Sequence, residues 1–199
     1  MSIKPIVCIS GTSRPDNYTA RSLAVVREEL HALGAPTVYF DARELTLNFP
    51  GHPETDDARR LKEAVRDSSG VVLASPEYHG GFSAMTKLII ENLGFPSALA
   101  GKPLALLGVA SGRIGAIKTI EQLRSVCAHA GAIVIPGAVS VAGVKAVFDA
   151  EGRVVDAGVE KALRGLAASL HHFLKDYVCP KHTLEAMVRQ DAAPWTAEV

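Results

Sequence analysis

The sequence predicts an α/β protein built on a doubly wound parallel sheet of five strands with helices on both faces. Three observations carry this expectation. Five short apolar runs, several rich in β-branched residues, alternate along the chain with five segments whose apolar residues recur at steps of three and four. The strand runs lack polar interruptions, as strands covered on both faces should. A length of 199 residues, 48% of them hydrophobic and 21% charged, suits one such domain.

Residues 5–9 form the first run and end in Ser10-Gly11-Thr12-Ser13-Arg14-Pro15-Asp16-Asn17, a cluster of turn formers that reads as strand, then loop. From Thr19 the period changes: Leu23, Val26, Leu30 and Leu33 share one helical face, and Gly34 supplies the stop. A strand over 37–40, a helix over 56–67 and a strand over 70–74 follow. Then come a helix over 85–93, a strand over 103–109, a helix over 114–130 and a strand over 132–135. The last helix covers 159–174, with Val159, Leu163, Leu166, Leu170 and Phe173 on one side. Between these last two elements, 138–156 alternates weakly and includes a turn at 149–152, which reads as an excursion or small hairpin. The domain is drawn over 1–180, and 181–199 reads as a polar, mixed tail in which Trp195 is assigned equally to a subunit contact or to the surface.

Twenty-one Lys and Arg balance twenty-one Asp and Glu, which removes the electrostatic motive for binding nucleic acid or an anionic membrane and favours a small-molecule partner. Cys8, Cys127 and Cys179 are widely spaced and contain no CxxC pair, so neither a disulfide framework nor a zinc site is expected. Cys8 and Cys127 read as buried, inert thiols. His31, His129, His171 and His172 lie on predicted helices without metal-site spacing, and no metal is expected. The apolar runs are too short to span a bilayer and the first ten residues lack a signal-peptide layout, which points to a soluble, cytoplasmic protein.

In an open α/β sheet, ligands sit beyond the carboxyl ends of the strands where flanking helices diverge. The first loop offers the hydroxyls of Ser10, Thr12, Ser13 and Thr19, the Asn17 amide and the Arg14 cation just before a helix. Those groups suit a phosphate at a helix N-terminus; they suit equally a plain βα loop in which Asn17 or Thr19 caps the helix. Gly11 is the lone glycine of this turn, so Gly-x-Gly-x-x-Gly is absent and Asp41 reads as a turn residue. Gly101-Lys102 runs into Pro103 and a strand, which excludes a P-loop. The third loop, Ser75-Pro76-Glu77-Tyr78-His79-Gly80-Gly81-Phe82-Ser83, combines a stiff exit, a flat aromatic face and glycines that admit close backbone approach. The fourth, from Ser111 through Gly112, Arg113 and Ile114 to Gly115, lies on the same sheet edge.

Gly11-Thr12-Ser13-Arg14 with the polar residues to Thr19, then Pro76-Glu77-Tyr78-His79-Gly80, then Gly112-Arg113-Ile114-Gly115 resemble the NAD(P)H-dependent FMN reductases. The likeness runs in order over 6–131. It implies a flavodoxin-like sheet of order 2-1-3-4-5 and noncovalent FMN. Thr12, Arg14, Asn17, Tyr18 and Thr19 would surround the phosphate. Pro76, Glu77, Tyr78, His79 and Gly80 would run along the ring, with Ser111, Gly112, Arg113 and Gly115 on its other side. Asn17 and Thr19 stand where the family usually has Ser and Asn, His79 where it has Asn, and Ser83 where it has Pro. His79 is left as either a ring-side group or a loop residue facing away.

The resemblance further implies electron transfer from NADPH or NADH, by ping-pong kinetics, to a quinone, flavin, azo or similar acceptor, with no catalytic acid or base. The alternative is a flavodoxin-type carrier, which the balanced charge disfavours. A homodimer or homotetramer is expected, partly from the resemblance and partly because 85–93, Phe95 and Leu99 offer more apolar surface than one small sheet needs.

Overall fold

The computed structural model describes residues 4–180 together with Glu185 and Val188. The expected boundary of the tail and the placement of Trp195 lie outside the described residues. Strand β1 (Ile6–Ser10) is fully buried and pairs in parallel with β2 (Thr37–Asp41) on one side and β3 (Gly70–Tyr78) on the other, Ile6 opposite both Thr37 and Gly70. β3 continues in parallel to β5 (Pro103–Val109), with Val71 opposite Leu104. Two-residue β4 (Gly81–Phe82) turns back antiparallel onto the end of β3.

The fifth sheet position is occupied differently from the expected single strand. Two short strands share it: β6 (Ile133–Val134) pairs with the start of β5 and β7 (Val139–Val141) with its end. Pro136, which has no N–H to donate, and Gly137, at φ +82°, interrupt the ladder between them. The main path is thus β2-β1-β3-β5-β6, the expected order, in a sheet that totals seven strands.

Helices α1 (Tyr18–Ala32), α2 (Asp56–Asp67), α3 (Ala84–Asn92), α4 (Ile117–His129) and α5 (Ala157–Phe173) cover the sheet. The period-two alternation of the strands divides the core. Ile6, Cys8, Val72 and Leu107 pack with Leu23 and Leu30 of α1 and Leu163 and Leu170 of α5. Val7, Ile9, Leu73 and Leu106 pack with Leu61, Ile89 and Leu123 of α2, α3 and α4. Each large aliphatic side chain so enclosed contributes about 1.5–3 kcal/mol relative to exposure. α4 begins three residues later than its apolar pattern suggested, because Gly115 sits at φ +82°, outside the right-handed helix, and leaves Ile114 exposed.

The apolar residues taken as surplus belong to this second core: Ile89, Leu93 and Leu99 are buried within the chain, and of that group Phe95 is exposed. The excursion over 138–156 carries β7, a 3₁₀ turn at Val144–Ala146 and one antiparallel bridge, Phe148 to Val154. Its turn closes by Gly152 N–H on Asp149 O at 3.1 Å. Among the described residues, no helix is long and apolar enough to cross a membrane.

Candidate cofactor cleft

The carboxyl ends of β1, β3 and β5 bring three loops together. Gly11, following β1, approaches α3 so closely that an added Cβ would lie 2.1 Å from Thr86 Oγ1 and 2.9 Å from Ala74 O. That approach lets the Gly11 carbonyl accept hydrogen bonds from Ser83 Oγ and, at 2.9 Å, from Thr86 Oγ1. Ser83 caps α3 by accepting from Thr86 N, so one buried hydroxyl cluster sets both the helix start and the loop above it.

Asn17 is the N-cap of α1: its Oδ1 accepts from Ala20 N at 2.7 Å and its Nδ2 donates to Arg14 O at 2.9 Å. The capping reading of this loop therefore holds. It does not exhaust the site, because the N–H groups of Tyr18 and Thr19 open the helix and have no intrahelical partner.

The expected loop over 75–83 is a β-hairpin. β3 extends through Tyr78, whose partner is Gly81, and the chain reverses through His79 at φ +51° and Gly80 at φ +73°. Two successive left-handed residues make a type I′ turn, the geometry that matches strand twist. Tyr78 Oη lies 3.1 Å from Thr12 Oγ1, tying the hairpin to the first loop. Glu77 Oε2 accepts from Thr119 N at 3.1 Å and so caps α4, whose own N-cap residue, Ala116, has no side-chain acceptor. Gln122 Nε2 donates to Gly80 O at 3.0 Å, fastening the hairpin to the same helix.

The loop after β5 leans on the excursion. Gly143 N donates to Gly112 O at 2.9 Å, and Val144 N to Ala110 O at 3.1 Å. Gly115 is packed so that a Cβ would meet Ser140 Oγ at 2.5 Å, and Ser140 Oγ accepts from Ala116 N at 2.8 Å.

Arg14, Asn17, Tyr18, Thr19, Pro76, Glu77, Tyr78 and Ser111 line one cleft, and Thr12 touches it through Tyr78. His79 is exposed at the hairpin tip, and it, Gly80, Gly112, Arg113 and Gly115 stand outside that lining. Pro15, Asp16, Val109, Val144 and Lys145 also line it, and sequence reasoning did not select them. Pro15 and Asp16 lie inside a loop already singled out. Val144 and Lys145 belong to a segment with no motif, and only its return to the sheet edge reveals them.

Cys8 and Cys127 do no chemistry in this region: burial pushes both thiols up to about 12. Asp41 is the buried last residue of β2 and opens the turn that follows, in line with its reading as a turn residue: Glu44 N donates to its carbonyl at 2.9 Å and Arg43 N to its Oδ1 at 3.0 Å, and its carboxylate also binds the Arg43 side chain through Nε at 3.0 Å and Nη2 at 2.6 Å. The donor set of the cleft suits FMN. Arg14, Lys145 and the first-turn N–H groups of α1 can take a phosphate, and Pro76 with Tyr78 forms a flat wall for a ring.

A family model for NADPH-dependent FMN reductase matches residues 5–146. An NADPH azoreductase of Bacillus sp. (strain OY1-2) is 34% identical over 90 residues, 45% of this chain and 50% of the azoreductase. An NAD(P)H-dependent FMN reductase of Pseudomonas aeruginosa is 25% identical over 165 residues, 76% of this chain and 84% of that protein. Among solved structures, FerB, a flavoenzyme NAD(P)H:(acceptor) oxidoreductase of Paracoccus denitrificans, superposes with a TM-score of 0.70 at 21% identity. That superposition covers 88% of this chain and 99% of FerB. The match to the azoreductase thus spans half of that relative's length, whereas the fold, which is flavodoxin-like, is shared nearly end to end with FerB.

Proposed function

This chain belongs to the NADPH-dependent FMN reductase family, and we propose that it is an FMN-containing oxidoreductase that carries electrons from NADPH or NADH to small-molecule acceptors of the quinone, flavin or azo class. The observation that carries this most directly is the joining of the loop after β1 to the hairpin after β3, through Thr12 and Tyr78, around one cleft. Bound FMN would supply the redox chemistry, accepting two electrons from the nicotinamide and releasing them to the second substrate, the two substrates alternating over one face of the ring.

The chain's own residues would bind and orient. Arg14, Thr19 and the first-turn N–H groups of α1 would hold the phosphate, with Asn17 fixing the backbone that presents them. Pro76 and Tyr78 would form one wall of the ring site, and the loop carrying Ser111, Gly112 and Arg113 the other. Glu77 would act indirectly, its carboxylate engaged at the start of α4 and the hairpin thereby held in place. His79, Gly80 and Gly115 would shape the backbone around the ring. No side chain need serve as acid, base or nucleophile.

Residues 1–180 are taken as the cofactor-binding domain of a cytoplasmic protein. A homodimer or homotetramer is supported by the exposed Phe95 beside an apolar groove that Ile90, Pro96 and Val126 help to line. Light scattering of the purified protein tests that association, a mass of one chain with full activity overturning it.

The visible spectrum before and after anaerobic addition of NADPH or NADH tests the function. A yellow protein bleached by the nucleotide, with ping-pong kinetics toward a quinone or azo dye, is the expected result. A yellow protein that neither nucleotide bleaches is a carrier, and a colourless one that FMN does not reconstitute has no flavin function.

A further inference from the structure

The segment over 138–156 carries no motif, yet its 3₁₀ turn forms part of the cleft. Its position is fixed from two sides. Gly143 and Val144 donate to carbonyls of the loop after β5, at 2.9 and 3.1 Å. Phe148 packs its ring 5.9 Å from that of Tyr18, the first residue of α1, with an interplanar angle of 31°. Val144 is buried, whereas Lys145 is exposed and lines the cleft beside its neighbour. A lysine in a freely moving loop would be a solvated charge; here the backbone bearing it is bolted to both adjoining walls.

We propose, resting on the FMN assignment above, that Lys145 is the second cation of this cleft and that with Arg14 it clamps a phosphate monoester. Among the described residues, no ion pair engages either cation. Two carboxylates share the cleft, Asp16 and Glu77. Glu77 accepts from Thr119 N at the positive end of α4, which offsets its charge locally, and leaves Asp16 as the single acid beside two bases. A monoester carries roughly −1.5 to −2 charges at neutral pH, so two cations from independent elements match it better than Arg14 alone. Lysine suits this place because its flexible ammonium acts as a point charge and needs no bidentate geometry.

Two monoesters occur in the proposed reaction, the 5′-phosphate of FMN and the 2′-phosphate of NADPH. Lys145→Gln and Lys145→Arg, both at an exposed position, test the clamp when the apo forms are titrated with FMN and with riboflavin and the holo forms are assayed with NADPH and NADH. If the partner is the FMN phosphate, Lys145→Gln weakens FMN binding by about 3- to 10-fold at low salt, leaves riboflavin unchanged, and is rescued by Lys145→Arg. If instead FMN affinity is unchanged and KM rises by a similar factor for NADPH but not for NADH, Lys145 serves the nucleotide phosphate without Arg14, and the clamp is overturned. Wild-type protein that binds FMN while Lys145→Gln changes none of these quantities, or changes FMN and riboflavin alike, overturns the clamp and leaves the function standing. Wild-type protein that binds no FMN overturns both.

Discussion

Tyr78 Oη and Thr12 Oγ1 lie 3.1 Å apart although 66 positions separate them in sequence, so a hydroxyl pair joins the two loops at the cleft, in addition to the bonds that Gly11 O accepts from Ser83 and Thr86 beneath it. Thr12 Oγ1 also accepts from Arg14 N at 3.3 Å, which carries the coupling to the proposed phosphate cation. Tyr78→Phe keeps the ring and removes the bond. It should cost about 1 kcal/mol of stability in the apo protein and weaken FMN binding, because a freed first loop must be reordered when the cofactor binds. Thr12→Ala removes this bond and the one accepted from Arg14 N, and should cost at least as much. The double variant should lose little more than Thr12→Ala alone, a non-additivity that thermal unfolding and FMN titration of the four proteins would measure.

Arg14 itself should discriminate between flavins. Arg14→Ala is expected to weaken FMN binding by about 1.5 kcal/mol, the lower end for a hydrogen bond to a charged group, because the side chain is exposed. Riboflavin has no phosphate, and its affinity should not change. An equal loss for both flavins in fluorescence titrations would place Arg14 away from the phosphate.

The alternation of Ile6, Val7, Cys8 and Ile9 between the two cores was visible as a short β-branched run, since a strand buried on both faces needs only apolar residues in sequence. The first loop was legible too, because turn formers and a helix cap are local signals. The hairpin was not: Ser75, Pro76 and Glu77 look like a loop, and their strand character comes from pairing with β5 and β4, which lie elsewhere in the chain. Glu77 gave no hint that its partner is Thr119, the first turn of a helix 42 positions on. Lys145 was hidden for the same reason, since β7 brings it to the cleft only by rejoining the sheet after Pro136 and Gly137.

His79 occupies the first left-handed position of the type I′ turn, at φ +51°. That conformation costs a non-glycine residue roughly 1–2 kcal/mol, less for Asn, Asp and His and most for β-branched side chains. The usual asparagine of the resembling family thus has a backbone reason independent of any contact with the ring. His79→Gly should raise the melting temperature of the apo protein, His79→Asn should change it little, and His79→Val should lower stability by more than about 1 kcal/mol. If Val is tolerated as well as Asn, the turn does not constrain this position.

Asp41 provides a pH test of the sheet edge. Burial alone would raise its pKa, but hydrogen bonds from the Arg43 side chain and backbone and from Tyr39 Oη, at 2.8 Å, outweigh that and hold the carboxyl below its ordinary value of 3.8. A group whose pKa is depressed on folding stabilises the folded state fully above its unfolded pKa of about 3.9 and loses that contribution as pH falls through the lower, folded value. Asp41→Asn removes the charge at every pH and should cost about 1.5–3 kcal/mol near neutrality, the range for charge-assisted hydrogen bonds. Urea unfolding of the two proteins should therefore give parallel stabilities from pH 8 to about 5 and converge below about 4, as the wild-type carboxylate becomes protonated. A gap that persists unchanged at pH 3 would mean that Asp41 contributes through packing and neutral hydrogen bonds, and that the ion pair with Arg43 adds nothing to stability.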